Sequence, residues 1–175
     1  MPGANVFKGL MTMADKPKGK ILVSACLYGY CCKYNGGNNI LKSPLFQVLK
    51  NTGRLVPVCP EELGGLSTPR IPCEINRDRR VINKEGTDVT EAFEKGAEKT
   101  LEIARKEGVR VAIFKQSSPS CGSKNIYDGT FSGNKISGQG ITALKLIENG
   151  IPVFDETEVE FAKLLADGNP HNHHH

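Results

Sequence analysis

The sequence predicts a single α/β domain built on a mostly parallel sheet flanked by helices. Three observations point to it. Short apolar runs at 20–25 (KILVSA), 55–58 (LVPV), 109–114 (VRVAIF) and 151–154 (IPVF) read as buried strands. Segments with helical spacing lie between them, and an alternation of strand and helix patterns is what a parallel sheet covered on both faces produces. The 175 residues suffice for one core and are too few to expect two.

Residues 1–18 show no clean periodicity and read as a flexible leader, the folded body runs over 19–167, and 168–175 is a tag-like tail. After the first strand comes a long loop, LYGYCCKYNGGNNI, rich in the Gly and Asn that shape turns. Ser43 followed by Pro44 predicts the N-terminus of a helix that ends at Gly53. The segment 59–75 holds three prolines and two adjacent glycines and is expected to be an irregular, functional loop. The charged stretch after it, NRDRRVINKEGTD, reads as an exposed hairpin or excursion. Asp88 and Glu91 form a capping-box pattern, and Val89, Phe93, Ala97, Leu101 and Ala104 keep helical spacing up to Gly108. Beyond the strand at 109–114 lie an SSPSCG turn and a glycine-rich stretch. A helix at 141–148, the strand at 151–154 and an amphipathic helix at 156–166 complete the body.

Composition excludes several classes. No apolar run approaches the roughly 20 residues of a membrane span, and no signal peptide is evident, so a cytoplasmic protein is expected. The net charge of +4 is mild and the basic residues are scattered, which gives little support for nucleic-acid binding and favours a solvated surface. All four histidines lie in the last five residues. Without imidazole in the body, Ser-His-Asp and Cys-His catalysis are excluded, and any metal must be held by sulfur or oxygen. Six cysteines in such a protein point to metal or thiolate chemistry rather than a disulfide framework.

Cys26, Cys59 and Cys121 each follow a predicted strand, and ligands of parallel α/β sheets bind beyond the carboxyl ends of strands. Three thiols at three strand exits therefore suggest one metal centre, zinc or an iron–sulfur cluster. No CxxC pair of the structural-zinc type is present, and widely separated single cysteines suit a cluster carried on a preformed fold, with a fourth corner open to substrate. Each cysteine alone is equally well a buried hydrophobe. Cys31, Cys32 and Cys73 read as packing or loop residues, with Cys32 the reserve ligand. Glu61 and Glu62 follow Cys59 directly, placing a general acid/base beside the proposed metal. Ser118 and Ser120 flank Pro119 and either donate to a cluster sulfur or substrate, or simply cap the turn. Tyr34, Asn35, Tyr127, Asp128, Thr130 and Ser132 add polar groups on loops at the same edge. The GQGITA segment at 138–143 opens a helix and offers amides to an anion. Arg70, Arg77, Arg79 and Arg80 are phosphate-binding candidates or a solvated face.

The motifs SACLYGYCCKYNGG, VPVCPEELGGLSTPR, SPSCG, IYDGTFSG and GIPVFDE, in this order, resemble the DUF523 family, which includes the thiouracil desulfidases. The likeness runs from about residue 20 to 156. It implies a Rossmann-like α/β protein whose [4Fe-4S] cluster is held by three cysteines, here Cys26, Cys59 and Cys121, with one open iron site. It also implies a catalytic carboxylate among Glu61 and Glu62 and a serine among Ser118 and Ser120. Cys73 departs from the family's RxPAEI-like segment, where a small residue is expected. The function so implied is non-redox desulfuration of a thiolated pyrimidine, base or nucleotide, with release of sulfide. The alternatives are an iron–sulfur or zinc module that senses redox state or handles sulfur without turnover, and a metal-free binding protein whose cysteines only pack.

Overall fold

The structure, a computed structural model, describes residues 19–168. The expected leader lies outside the described residues, as does the tail beyond Gly168. In chain order the elements are β1 (Lys20–Ser24), α1 (Ala25–Tyr28), α2 (Pro44–Asn51), β2 (Leu55–Val58), α3 (Pro60–Leu63), β3 (Cys73–Ile75), β4 (Val81–Asn83), α4 (Thr90–Glu107), β5 (Val109–Phe114), β6 (Asn125–Tyr127), β7 (Lys135–Ser137), α5 (Ile141–Glu148), β8 (Val153–Asp155) and α6 (Val159–Ala166). No helix among the described residues is long and apolar enough to cross a membrane.

The predicted parallel sheet is present, in the order β2-β1-β5-β8. Successive side chains of a strand point to opposite faces, and here both faces are buried. Ile21 and Val23 of β1, with Val111 and Ile113 of β5, pack on Phe46 and Leu49 of α2 and on Ala162 and Ala166 of α6. Leu22, Ala112 and Phe114 point the other way, onto Leu101 and Ala104 of α4 and Ala143 and Leu146 of α5. Burial on both faces explains why these strands read as unbroken apolar runs instead of alternating.

Local chemistry sets the helix ends. Ser43 caps α2, its Oγ accepting from the Phe46 N–H at 3.3 Å, and Pro44 takes the first helical position. Gly108 ends α4 at a φ of 67°. The expected capping box does not form. Val89 takes the cap position of α4 without a side-chain hydrogen bond. Asp88 instead accepts from the Thr90 N–H at 2.9 Å and from Arg80 Nε at 2.8 Å, which pins the helix start to the preceding hairpin.

Two further expectations are corrected and one is met. The segment 59–75 is not wholly irregular, since it contains α3 and β3. The charged stretch after it completes the expected hairpin, its β4 pairing antiparallel with β3, and the glycine-rich stretch, for which no element is predicted, contains a second hairpin, β6–β7. Ile75, Val81 and Ile126 from these hairpins close over Phe93 of α4 as a third apolar cluster. The last strand and helix begin later than predicted, at Val153 and Val159, and between them Asp155 accepts from the Thr157 N–H at 2.8 Å and holds a turn.

Candidate active site

The chain runs from β1 to β2 on one side of it, then crosses to β5 on the other. Where strand order reverses, the connections leave the sheet in opposite directions and open a crevice at the strand ends. A cavity of about 470 Å³ lies there, bordered by the exits of β1, β2 and β5. Cys26, Cys59 and Cys121 all line it, together with Glu61 and Ser118.

The first exit turns within one residue: β1 ends at Ser24 and the short α1 carries Cys26, buried. Asn39 of the long loop returns to donate from Nδ2 to Cys26 Sγ at 3.6 Å. At the second exit, Cys59 precedes α3, with Pro60 at its first position. One residue step in a helix is about 100° of rotation, so Glu61 and Glu62 diverge. Glu61 is buried and accepts from Ser120 Oγ at 2.7 Å. Glu62 turns outward, accepts from Thr68 Oγ1, and borders a separate groove of about 240 Å³ beside Leu63 and Ile103.

The third exit is the most elaborately held. Gln116 Oε1 accepts from the N–H groups of Ser117, Lys124 and Asn125 at 3.3, 3.1 and 2.9 Å, closing the loop at its base. Ser118 Oγ accepts from the N–H groups of Ser120 and Cys121, both at 3.1 Å. Ser120, fully buried, lies behind Glu61. The first amides of α5 donate to this same loop: Ile141 to the Pro119 carbonyl, and Thr142 and Ala143 to that of Ser120, each at 2.9 Å. That corrects the anion-site expectation for 138–143, because these donors are already engaged in fixing the Cys121 loop.

The thiols differ in acidity for identifiable reasons. Burial pushes Cys26 up, against the opposing hydrogen bond from Asn39. Burial pushes Cys121 well above the usual thiol range, with Ser120 and Ser24 opposing it. Cys59 is lowered, chiefly because the Cys32 thiol donates to it when it ionises, and the same contact raises Cys32. As a thiol, Cys59 instead stands 3.8 Å from the Cys32 carbonyl oxygen and can donate to it. Burial raises Cys73, which also lines the cavity, to about 11.

Other expected residues separate into two groups. Tyr34, Tyr127 and Arg70 line the cavity, as does Cys32. Asn35 is spent on its own turn, accepting from the Gly37 N–H, and Cys31 is exposed. Asp128, Thr130 and Ser132 bond to one another. Arg80 pairs with Asp88, and Arg79 donates to the Gln139 carbonyl. Sequence reasoning missed Ser24, Asn39, Lys115 and Gln116. The strand-exit rule that found the cysteines reaches Ser24, Lys115 and Gln116 equally well; Asn39, remote in sequence, carries no such signal.

Among the described residues, no three His, Cys, Asp or Glu side chains close around a point suited to one metal ion. The thiols border a space instead, and sulfur-only donors around such a space suit a multi-iron cluster. Apolar walls from Ala25, Val58 and Phe93 limit its access to water. The residues present thus fit an iron–sulfur cluster.

Residues 21–158 match a family model described as 2-thiouracil desulfurase. The uncharacterized protein YbbK of Bacillus subtilis (strain 168) is 44% identical over 148 residues, covering 79% of this chain and 97% of its own. Among solved structures, that of a [4Fe-4S]-dependent thiouracil desulfidase, TudS (DUF523Vcz), superposes with a TM-score of 0.81 at 41% identity, over 84% of this chain and 97% of the other.

Proposed function

Because the chain belongs to the 2-thiouracil desulfurase family, we propose that it converts a thiolated pyrimidine, free base or nucleotide, to the oxo form with release of sulfide. In this reading a [4Fe-4S] cluster is held by Cys26, Cys59 and Cys121, and one iron has no protein ligand. The observation that carries it is the meeting of these three thiols and Glu61 on one cavity.

When bound, the cluster supplies a Lewis-acidic iron with affinity for sulfur. The chain's own residues do the rest. The exchange is C=S plus water giving C=O plus hydrogen sulfide, with no electrons lost or gained overall, so it needs proton transfer rather than a reductant. Glu61 lines the cavity, its Oε1 held by Ser120 and its Oε2 without a direct hydrogen bond, 3.7 Å from Arg70 Nη2. This leaves one carboxylate oxygen to take a proton from the attacking water and return it to the departing sulfur. Ser120 thereby orients the base. Ser118 steadies the Cys121 turn through its two accepted hydrogen bonds. Tyr34 and Tyr127 provide flat walls for a pyrimidine ring. Glu62, tied to Thr68, supports α3 from outside.

Anaerobic reconstitution with iron and sulfide tests this directly. The chain is expected to take up roughly four irons, as one cubane cluster requires, and to release sulfide from 2-thiouracil. Cys26→Ala, Cys59→Ala and Cys121→Ala should each lose both properties. Full activity in any of the three would overturn the ligand assignment, and zinc in place of iron in anaerobically purified protein would favour the sensor reading.

A further inference from the structure

We propose that Arg70 is a positioning residue: its guanidinium fixes the carboxylate of Glu61 in the orientation from which it acts on substrate. The inference rests on the desulfidase reading above and assigns to a residue outside the cysteine motifs the task of aiming its proposed base.

Arg70 is a cation brought into the cavity wall with its side chain only 11% exposed. Burying a charge is costly unless its donors are used. Here the fork is well occupied: Nη2 donates to the Cys32 carbonyl at 2.9 Å, and Nη1 donates to Thr68 Oγ1 at 2.9 Å and to the Ser67 carbonyl at 3.3 Å. The planar group is thus locked by three contacts, none of which is to Glu61. Its Nη2 stands 3.7 Å from Glu61 Oε2, too far for a direct hydrogen bond but close enough for strong attraction at a partly buried site.

Glu61 is consequently held at two points. Ser120 binds one oxygen, and alone would leave the carboxylate free to swing about that bond. The fixed cation on the other side removes the swing. A further link runs outward, since Thr68 Oγ1 accepts from Arg70 and donates to Glu62. The two adjacent glutamates thus stand at opposite ends of one relay, Glu61 in the cavity and Glu62 at the surface. The same guanidinium joins the segment after β1, through Cys32, to the segment after β2.

The test uses the full chain, loaded anaerobically, with 2-thiouracil as substrate and four readouts: kcat, KM, iron per chain and melting temperature. Arg70→Ala should lower kcat about ten- to a hundredfold, the scale expected when a reacting group is misplaced by about an ångström. KM and iron content should be unchanged, because Arg70 touches neither substrate nor ligands in this account. Added guanidinium ion should restore part of the kcat of Arg70→Ala and none of that of Glu61→Gln, and Arg70→Lys, which keeps the charge without the fork, should fall between. Thr68→Val, which loosens Arg70 from outside the cavity, should lower kcat in the same direction but less. Undiminished kcat in Arg70→Ala overturns the proposal, as does a raised KM at constant kcat, which would make Arg70 a substrate-binding group. If Arg70→Ala fails to fold, Thr68→Val decides, and its full activity is equally fatal. A loaded wild type that releases no sulfide overturns the desulfidase reading and the role of Arg70 with it; an active wild type beside a fully active Arg70→Ala overturns only the latter.

Discussion

Ser117 shows how local conformation aims the chemistry. Its φ of 72° is left-handed, a region that costs a residue with a Cβ about 1–2 kcal/mol. The turn it makes brings Ser118 and Cys121 round to the cavity. Replacement by Gly relieves that strain while giving the unfolded chain more freedom, a loss of about 0.5–1 kcal/mol, so Ser117→Gly should leave the denaturation midpoint nearly unchanged. Ser117→Val puts a β-branched side chain in the same conformation and should lower the midpoint by more than about 1 kcal/mol in stability, with less iron retained on reconstitution. At this scale the sequence was legible where a residue's position relative to a strand end mattered, as for Cys26, Cys59 and Cys121. It was not legible where helix phase decides, as for Glu61 against Glu62, or where a distant loop returns, as for Asn39.

α3 and α4 touch backbone to backbone. A Cβ on Gly64, just after α3, would collide with the Ala92 carbonyl oxygen of α4, and one on Gly96 with that of Pro60. Gly in the middle of a helix ordinarily costs close to 1 kcal/mol relative to Ala, so Gly96→Ala in a free helix would stabilise. Here the clash decides the sign, since overpacking costs about 1–3 kcal/mol or more. Gly96→Ala is expected to lower the melting temperature and, by pushing Cys59 and Glu61 outward with α3, to reduce iron uptake. The start of α4 carries a second test. The hydrogen bond from Arg80 holds Asp88 down to about 2 in the fold, against an ordinary 3.8. A depressed acid stabilises above its unfolded value and loses that contribution as pH falls through the folded one. The melting temperature of Asp88→Asn should therefore lie slightly below wild type at neutral pH, and the gap should close between pH 3.8 and about 2. The long elements could be read from periodicity. The short ones, α1, α3 and the strands of the two hairpins, span three or four residues each, too few to show a period, and tertiary contacts with Phe93 and the sheet decide them.

For the molecule as a whole, the fold class followed from alternation of strand and helix, because burial on both faces leaves unbroken apolar runs in the sequence. What alternation does not encode is strand order, and it is the order β2-β1-β5-β8 that gathers the exits into one crevice. If the cluster binds the folded chain alone, loading must stabilise it by mass action. A rise in melting temperature on anaerobic loading is expected in the wild type and absent in Cys121→Ala; equal rises in both would mean the metal binds elsewhere. The order has one more consequence. β5, which delivers Cys121, pairs with β1 laid down early in synthesis, and the Cys121 loop is fixed by the amides of α5, made later still. A nascent chain therefore presents Cys26 and Cys59 before Cys121 has been made, and if the three hold a cluster as proposed, loading has to wait until the last third of the chain has folded around them.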